Sequence, residues 1–510
     1  MKIITRMISF FIAMVMMMSG SLTKEEFKTF TREVDLSHGW SDYNNGYPNS
    51  GEDVERLISV KPSAIQKKVE DMEYYSFIHY GMNTFTVSEW GTGKESPSQF
   101  CPETVDTDQW CRVLKASGSK GIIFTAKHHD GFCLFQTAYT EHSIKNSPYM
   151  NGKGDIVAQL SESCKKYDMK LGLYLSPWDR HEPTYGTDAY NDFFVNQLTE
   201  LCTNYGEIFA FWFDGAKGED APDFSYDFDR YYNVIRELQP NAVISVCGPD
   251  VRWIGNEAGV SRKSEWSVIT SGSASVEKTI EESQHSEAEA EKLRGVSETE
   301  ADLGSRDLVV RYRDLVWKQA EADVSIDYNW FYNEKSDSRT ARQLADIYFS
   351  TVGGNALMLL NVPPSMNGVI EKKHIRILEK FKSIVNKQLK NKLDFDFESS
   401  SVIPESIKTD GSYMLGDNEN GLNLKFDSKQ KVKTIVIRED TSFSQRVEEF
   451  EIYSKVAKDQ YVRIYRGTVI GAKKIILLPS AAIPRTDELK IVFTQSRSNP
   501  VIRSVEVYGR

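Results

Sequence analysis

Cysteine is scarce in this 510-residue chain, and its placement excludes two architectures at once. The six cysteines (Cys101, Cys111, Cys133, Cys164, Cys202, Cys247) all lie in the first half and form no Cys-x-x-Cys pair. They therefore supply neither a zinc module nor a disulfide scaffold, and no metal or other cofactor is expected. Several sit inside apolar segments, so free buried thiols are expected, with a Cys101–Cys111 bridge the alternative in an oxidising compartment. Excess positive charge is also missing: 62 Lys and Arg stand against 73 Asp and Glu, a net −11. This balance argues against a nucleic-acid partner. Beyond the amino terminus no segment approaches the ~20 apolar residues of a membrane helix, so no transmembrane segment is expected. Tryptophan stops early, with all nine between Trp40 and Trp330.

What is present begins with an export signal. Met1 to Arg6 carries the positive charge, Met7 to Met18 is apolar, and Ser19-Gly20-Ser21 is small and polar. These three regions predict a cleavable signal peptide over residues 1–22 and a periplasmic or extracellular protein. Forty percent hydrophobic and 12% aromatic residues suffice for a large core.

Apolar runs then alternate with helix-period segments. Strands are expected at Phe77–Asn83, Gly121–Ala126, Leu171–Ser176, Ile208–Phe213, Ala242–Val246, Trp266–Thr270, Asp323–Ile326 and Ala356–Leu360. Helices are expected at Asp155–Tyr167, Tyr190–Tyr205, Phe228–Leu238 and Arg339–Thr351. Eight strands alternating with helices predict an α/β fold, a (β/α)₈ TIM-like barrel over residues 60–389. Ser271 to Asp307 interrupts the rhythm and reads as a surface insertion, with a solvated helix over Val276–Leu293 and no assigned chemistry. From 395 to 510 seven short alternating strands predict an antiparallel β-sandwich. Lacking tryptophan, this domain reads as a structural appendage rather than a sugar-binding module.

The chemistry gathers at strand ends. Trp212-Phe213-Asp214-Gly215 closes the run Ile208–Phe213, leaving Asp214 either a catalytic carboxylate or a helix N-cap. His79 ends the first strand, with Glu89 and Trp90 close behind; the second runs into Lys127-His128-His129-Asp130-Gly131 and the third into Tyr174 to His181. A shared polar pocket accounts for these groups better than separate structural roles. Metal-assisted hydrolysis through His79, His128, His129 and Asp214 competes with metal-free glycoside cleavage by two carboxylates. Trp90, Trp178, Trp212, Trp253, Trp330 and Tyr174 favour a sugar. Glu257, in Asn256-Glu257-Ala258-Gly259 after the fifth strand, is the second carboxylate candidate, with Glu265, Glu321 and Glu89 as rivals.

Five blocks carry a family likeness: His79-Tyr80-Gly81-Met82-Asn83-Thr84, Glu89-Trp90-Gly91, Lys127 to Phe132, Trp212 to Gly215 and Trp253 to Gly259. In that order they resemble the α-L-fucosidases of glycoside hydrolase family twenty-nine, over most of residues 65–385. The resemblance implies a retaining exo-acting barrel enzyme with a trailing β-sandwich, acting on fucosylated glycans without a cofactor. Asp214 matches the nucleophile and Glu257 the acid/base of one subfamily. His79, Glu89, Trp90, His128, His129 and Tyr174 match residues that hold fucose hydroxyls, with Trp212 and Trp330 near its methyl group. Lys127 and Asp130 read as orienting groups. Glu89-Trp90-Gly91 and Asn256 to Gly259 look like the subfamily specific for α-1,3/1,4-linked fucose on branched, Lewis-type glycans. Phe135, where the family motif often has Trp, and the 271–307 insertion depart from the pattern. The alternatives are a broad-specificity α-L-fucosidase and a catalytically silent fucose-binding barrel.

Overall fold

The structure, a computed structural model, describes residue 14 and residues 51–218, 221–222, 224–284, 302–397, 411–416, 419, 421–479 and 483–510. The expected signal peptide lies outside the described residues apart from Met14. Eight parallel strands close a barrel: β1 (Tyr74–Ile78), β2 (Gly121–Lys127), β3 (Lys170–Leu175), β4 (Ile208–Phe213), β5 (Val243–Val246), β6 (Val251–Trp253), β9 (Gln319–Ser325) and β10 (Leu357–Asn361). β10 pairs with β1 through Tyr74↔Met358 to Phe77↔Asn361, which completes the ring. Most barrel strands are buried along their whole length, as continuous apolar runs covered on both faces must be.

The helices begin where side chains can cap them. Asp106 accepts from Gln109 N, Asp155 from Ala158 N and Asp227 from Arg230 N, while Thr340 and Gln343 form a reciprocal capping box. Ile156–Lys166, Asp188–Asn204, Phe228–Leu238 and Ala341–Thr351 match the expected helices to within a turn. Among the described residues no helix is long and apolar enough to cross a membrane.

The expected strands fail at two places. The sixth barrel strand is Val251–Trp253, not Trp266–Thr270; there, β7 (Val268–Thr270) pairs antiparallel with β8 (Leu315–Trp317) beside the barrel. Three residues carry too short a pattern to announce a strand, whereas Trp266-Ser267-Val268-Ile269-Thr270 is rich in β-formers. Glu257 consequently follows the sixth strand rather than the fifth. The first strand ends at Ile78, and Met82–Thr86, expected to begin inside a strand, is a helical turn whose Thr84 side chain accepts from Gly81 N.

The described residues from 421 to 510 supply most of two antiparallel sheets. One contains Val501–Gly509, Val432–Glu439 and Lys474–Leu477; the other contains Gly421–Gln430, Thr486–Ser496, Val447–Ala457 and Gln460–Gly467. All seven expected strands match these, Lys474–Leu478 running one residue past its end, around a core of alternating inward residues such as Ile435, Ile437, Phe450, Ile491 and Val507. The sandwich docks on the amino-terminal end of the barrel. Glu73, immediately before β1, meets Lys473 at 2.6 Å and Arg438 at 3.4 Å, and Thr441 donates to Glu70 at 2.7 Å. A second attachment is buried, with Glu448 held by Arg306 and Arg497. The cysteines are free, five buried and Cys101 exposed. Cys111 faces Cys164 at 4.0 Å, so the Cys101–Cys111 bridge is not formed.

Candidate active site

A cavity of about 410 Å³ opens at the carboxyl ends of the barrel strands. All ten residues singled out in the sequence line it: His79, Glu89, Trp90, His128, His129, Tyr174, Trp212, Asp214, Glu257 and Trp330. Period-two geometry explains the inner wall. Tyr174 and Trp212 are register partners on β3 and β4, so both point into the barrel, where their rings stack at 5.4 Å. One residue pair further, Asp214 continues the inward face of β4. Tyr174 Oη donates to Asp214 Oδ2 at 2.9 Å, and the Ala216 N–H donates to Oδ1 at 2.9 Å. The N-cap alternative thus becomes a tight local turn, and among the described residues the next helix starts at Phe228.

Glu257 reaches the cavity on the loop after β6, which Ala258 ties to Val324 of β9 by an antiparallel bridge. Its Oε2 accepts from Trp330 Nε1 at 3.2 Å. The backbone N–H of Trp330 donates to Glu89 Oε2 at 2.8 Å, so one tryptophan spans two carboxylates. Glu89 and Trp90 follow Val87, an exposed β-branched residue at φ 54°, which marks a strained rim.

The histidines enter as neutral rings. Burial pushes His79 and His129 down to about 3 and His128 well below its ordinary value, the last also disfavoured by His129 and His79. Each is oriented from behind: His79 by Asn361 at 3.0 Å, His129 by Ser176 at 2.7 Å, His128 by Asn83 at 3.4 Å. Lys127 and Asp130 stand outside the cavity. Lys127 pairs with Asp179 at 2.8 Å beneath Tyr190, Phe193 and Phe194, and Asp130 accepts from Phe132 N at 2.8 Å. Phe135 is buried away from the cavity, its nearest ring neighbour Tyr205.

The two candidate carboxyls differ in surroundings. Burial raises Asp214, but Ala216 N–H, Tyr174 Oη and Gly215 N–H oppose that rise. Glu257 is pushed up to about 7 by burial, by Asp214 and by Glu89, against the single donor Trp330 and the charge of Arg339. Of the rivals, Glu265 is buried among Arg252 and Arg262 away from the cavity. Glu321 lies beneath the floor, accepting from Trp212 Nε1 at 2.6 Å and from Tyr75 Oη.

Several residues escaped the sequence reading. Asp323 lines the cavity, accepts from Trp253 Nε1 at 2.7 Å and is raised well above its ordinary value by burial and by Glu257. Its signal was the alternation Glu321-Ala322-Asp323-Val324-Ser325, in which the polar set faces the barrel lumen. The 271–307 insertion does not simply face water: Ser283, just beyond the helix Val276–Glu282, lines the cavity. The remainder of the expected Val276–Leu293 helix beyond residue 284 lies outside the described residues.

Two carboxyls of unequal acidity in one cavity walled by aromatic rings are what glycoside cleavage asks of a protein, and they put this chain among the barrel glycoside hydrolases. Comparison with known proteins narrows the class. The profile described as Alpha-L-fucosidase matches residues 57–388, and the chain belongs to that family, the fucosidases of glycoside hydrolase family 29. It is 38% identical over 468 residues to Alpha-L-fucosidase 1 of Arabidopsis thaliana, covering 88% of this chain and 87% of that protein. A Ruminococcus gnavus family 29 fucosidase in complex with fucose superposes with a TM-score of 0.77 at 28% identity, over 92% of this chain and 98% of that one. A family 29 member from an unknown rumen bacterium gives 0.71 at 33% identity, over 88% and 77%.

Glu321 makes the floor pH-sensitive. Its carboxyl is raised from 4.5 to about 7, chiefly by burial, so the folded protein holds this proton more tightly than the unfolded chain does. Its contribution to stability is therefore complete below pH 4.5 and falls as pH rises toward 7. Glu321→Gln removes the titration. Urea unfolding at pH 5 and pH 8 is expected to show the variant gaining on the wild type by up to roughly 3 kcal/mol at the higher pH. Parallel pH profiles for the two proteins would assign the proton elsewhere.

Proposed function

We propose that this α-L-fucosidase is a retaining, exo-acting enzyme that removes α-1,3- and α-1,4-linked L-fucose from branched, Lewis-type glycans and is exported to the periplasm or beyond. One observation carries the mechanistic part: Asp214, held by Tyr174 Oη and the Ala216 N–H, shares its cavity with a Glu257 carboxyl raised to about 7.

In this reading terminal fucose enters with its methyl group toward Trp212 and Trp330 and its hydroxyls toward Glu89, Trp90, Tyr174 and the histidine rings. Neutral imidazoles can both donate to and accept from hydroxyls. The Asp214 carboxylate attacks the anomeric carbon as the glycosidic bond breaks, and Glu257 gives its proton to the departing oxygen. The resulting Glu257 carboxylate then takes a proton from water, whose oxygen displaces Asp214 from the same carbon. Two inversions leave the original configuration, and Glu257 is protonated again. The floor of Phe77 and Trp212, underlain by Glu321, supports exo action, because a barrel lumen filled by side chains gives a continuing chain no room.

Asp214→Gly is expected to abolish turnover, with azide restoring part of it by filling the vacated space and yielding a fucosyl azide. Unchanged activity in that variant removes Asp214 from the mechanism.

Glu257 supplies its proton only below about pH 7, so kcat/KM should fall as pH rises through that value. Glu257→Ala should lose this basic limb and cleave natural glycans on the order of 10²–10⁴-fold more slowly, while fucosylation by activated aryl fucosides is largely spared. Retention of the limb in the variant would transfer the acid role to another carboxyl.

Linkage preference rests on the likeness of Glu89-Trp90-Gly91 and Asn256 to Gly259 to the narrower subfamily. In a branched trisaccharide a galactose sits beside the fucose, and contacts with it can be spent on the transition state. Fucose release from a Lewis-type trisaccharide should therefore exceed release from 2′-fucosyllactose at equal concentration. Equal or reversed rates point to the broad-specificity alternative, and an initially released β-anomer contradicts retention.

A further inference from the structure

We propose that Gln284, in the insertion that interrupts the barrel, is a positioning residue that aims a backbone N–H at the Asp214 carboxylate. The proposal rests on Asp214 being the nucleophile, and three hydrogen bonds carry it. Gln284 Nε2 donates to Gly215 O at 2.9 Å, and Gln284 Oε1 accepts from Lys217 N at 3.2 Å. Nε2 also donates to Ile280 O at 2.6 Å, one helical turn back, which fixes the side chain on its own element.

The consequence follows from peptide geometry. Gly215 O and the Ala216 N–H belong to one planar trans unit and point in opposite directions. A donor that holds Gly215 O on one side therefore directs the Ala216 N–H to the other, where Asp214 Oδ1 accepts it at 2.9 Å. Bonding at the carbonyl also polarises the unit and strengthens its N–H as a donor.

Close approach of the two segments is a second, independent sign. A Cβ on Gly215 would lie 2.6 Å from Ser283 Oγ and 3.2 Å from Thr279 O, so only glycine lets the insertion sit this near the nucleophile loop. Ser283 then faces the cavity beside Ala216. The insertion is thereby part of the catalytic apparatus.

Ala216 N–H is the strongest of the contacts that hold the Asp214 carboxyl down against burial, so loosening it should move Asp214 upward. The other titratable groups facing Asp214 are Tyr174 from β3, His129 from the loop after β2, Cys247 after β5 and Glu257 after β6. None of them is altered by substitution at 284.

The test compares pH profiles of kcat and KM for wild type, Gln284→Ala and Gln284→Glu on an aryl fucoside. Gln284→Ala should lower kcat on the order of tenfold with KM little changed, and move the acid limb of kcat/KM to higher pH. Gln284→Glu keeps the acceptor for Lys217 but loses the donor to Gly215, so it should shift the limb at least as far. An unmoved acid limb in both variants, with only thermal stability lowered, would overturn the proposal. Asp214→Gly in the same series separates the two readings. An inactive Asp214→Gly beside an unmoved limb refutes the role of Gln284 alone, whereas an active Asp214→Gly refutes the nucleophile on which that role rests.

Discussion

The cost of burying carboxyl groups organises the mouth of this barrel. Asp214, Glu257 and Asp323 face one cavity and Glu321 lies under its floor, all four raised above their ordinary values chiefly by burial. Their partners are almost entirely neutral donors: Tyr174 and Ala216 for Asp214, Trp330 for Glu257, Trp253 for Asp323, Tyr75 and Trp212 for Glu321. Such donors satisfy the oxygens without fixing the charge, so protons remain available to move. A lysine or arginine bound directly to each would have pinned these groups as carboxylates and removed the acid that glycoside cleavage needs. The indole N–H of tryptophan does this with particular economy of means, since it supplies one donor and a large apolar surface that keeps water out.

The opposite end of the barrel shows the other use of the same residue type. Glu73 is partly buried, yet Lys473 and Arg438 of the sandwich overcome the effect of burial and hold it below its ordinary value. Asp179, behind the second strand, is likewise held down by Lys127. Cation-paired carboxylates lock the sandwich to the barrel base and secure the loops behind the site, while donor-paired carboxyls line the cavity or lie under its floor. The division between a stabilising and a reacting end, expected of parallel barrels, is written here in the choice of partner.

Legibility in the sequence followed the strength of each local pattern. Ile208–Phe213 is six apolar residues ending in Asp-Gly, and the strand was recovered in full. Val251–Trp253 is three residues with an arginine in the middle, and a better-looking pentapeptide took its place in the sequence reading. The count of eight strands survived because β7 compensated for the missed β6, which is a warning that a correct total can hide an incorrect member. Most of the expected cavity residues were legible because they cluster just past strand ends, where polar groups interrupt apolar runs; Tyr174 and Trp212 lie just inside the ends of theirs. Asp323 was not, because it sits inside a strand: a carboxylate in the lumen of a barrel looks like the solvent face of an exposed sheet until the ring is known to close.

The insertion marks the deeper limit. Val276–Glu282 has the composition of a solvated helix, and nothing in its pattern distinguishes a helix that faces water from one laid against a functional loop. What carries the difference is a pair of small residues far apart in sequence, Gly215 and Ser283, whose lack of bulk permits contact. Local sequence shows where side chains are large enough to pack, but close approach depends on where they are missing, and a glycine following a strand-end aspartate already has a sufficient local explanation in the turn. The insertion's link to Asp214 lies instead in two hydrogen bonds that meet at one peptide unit, from Gln284 to Gly215 O and from Ala216 N–H to Asp214.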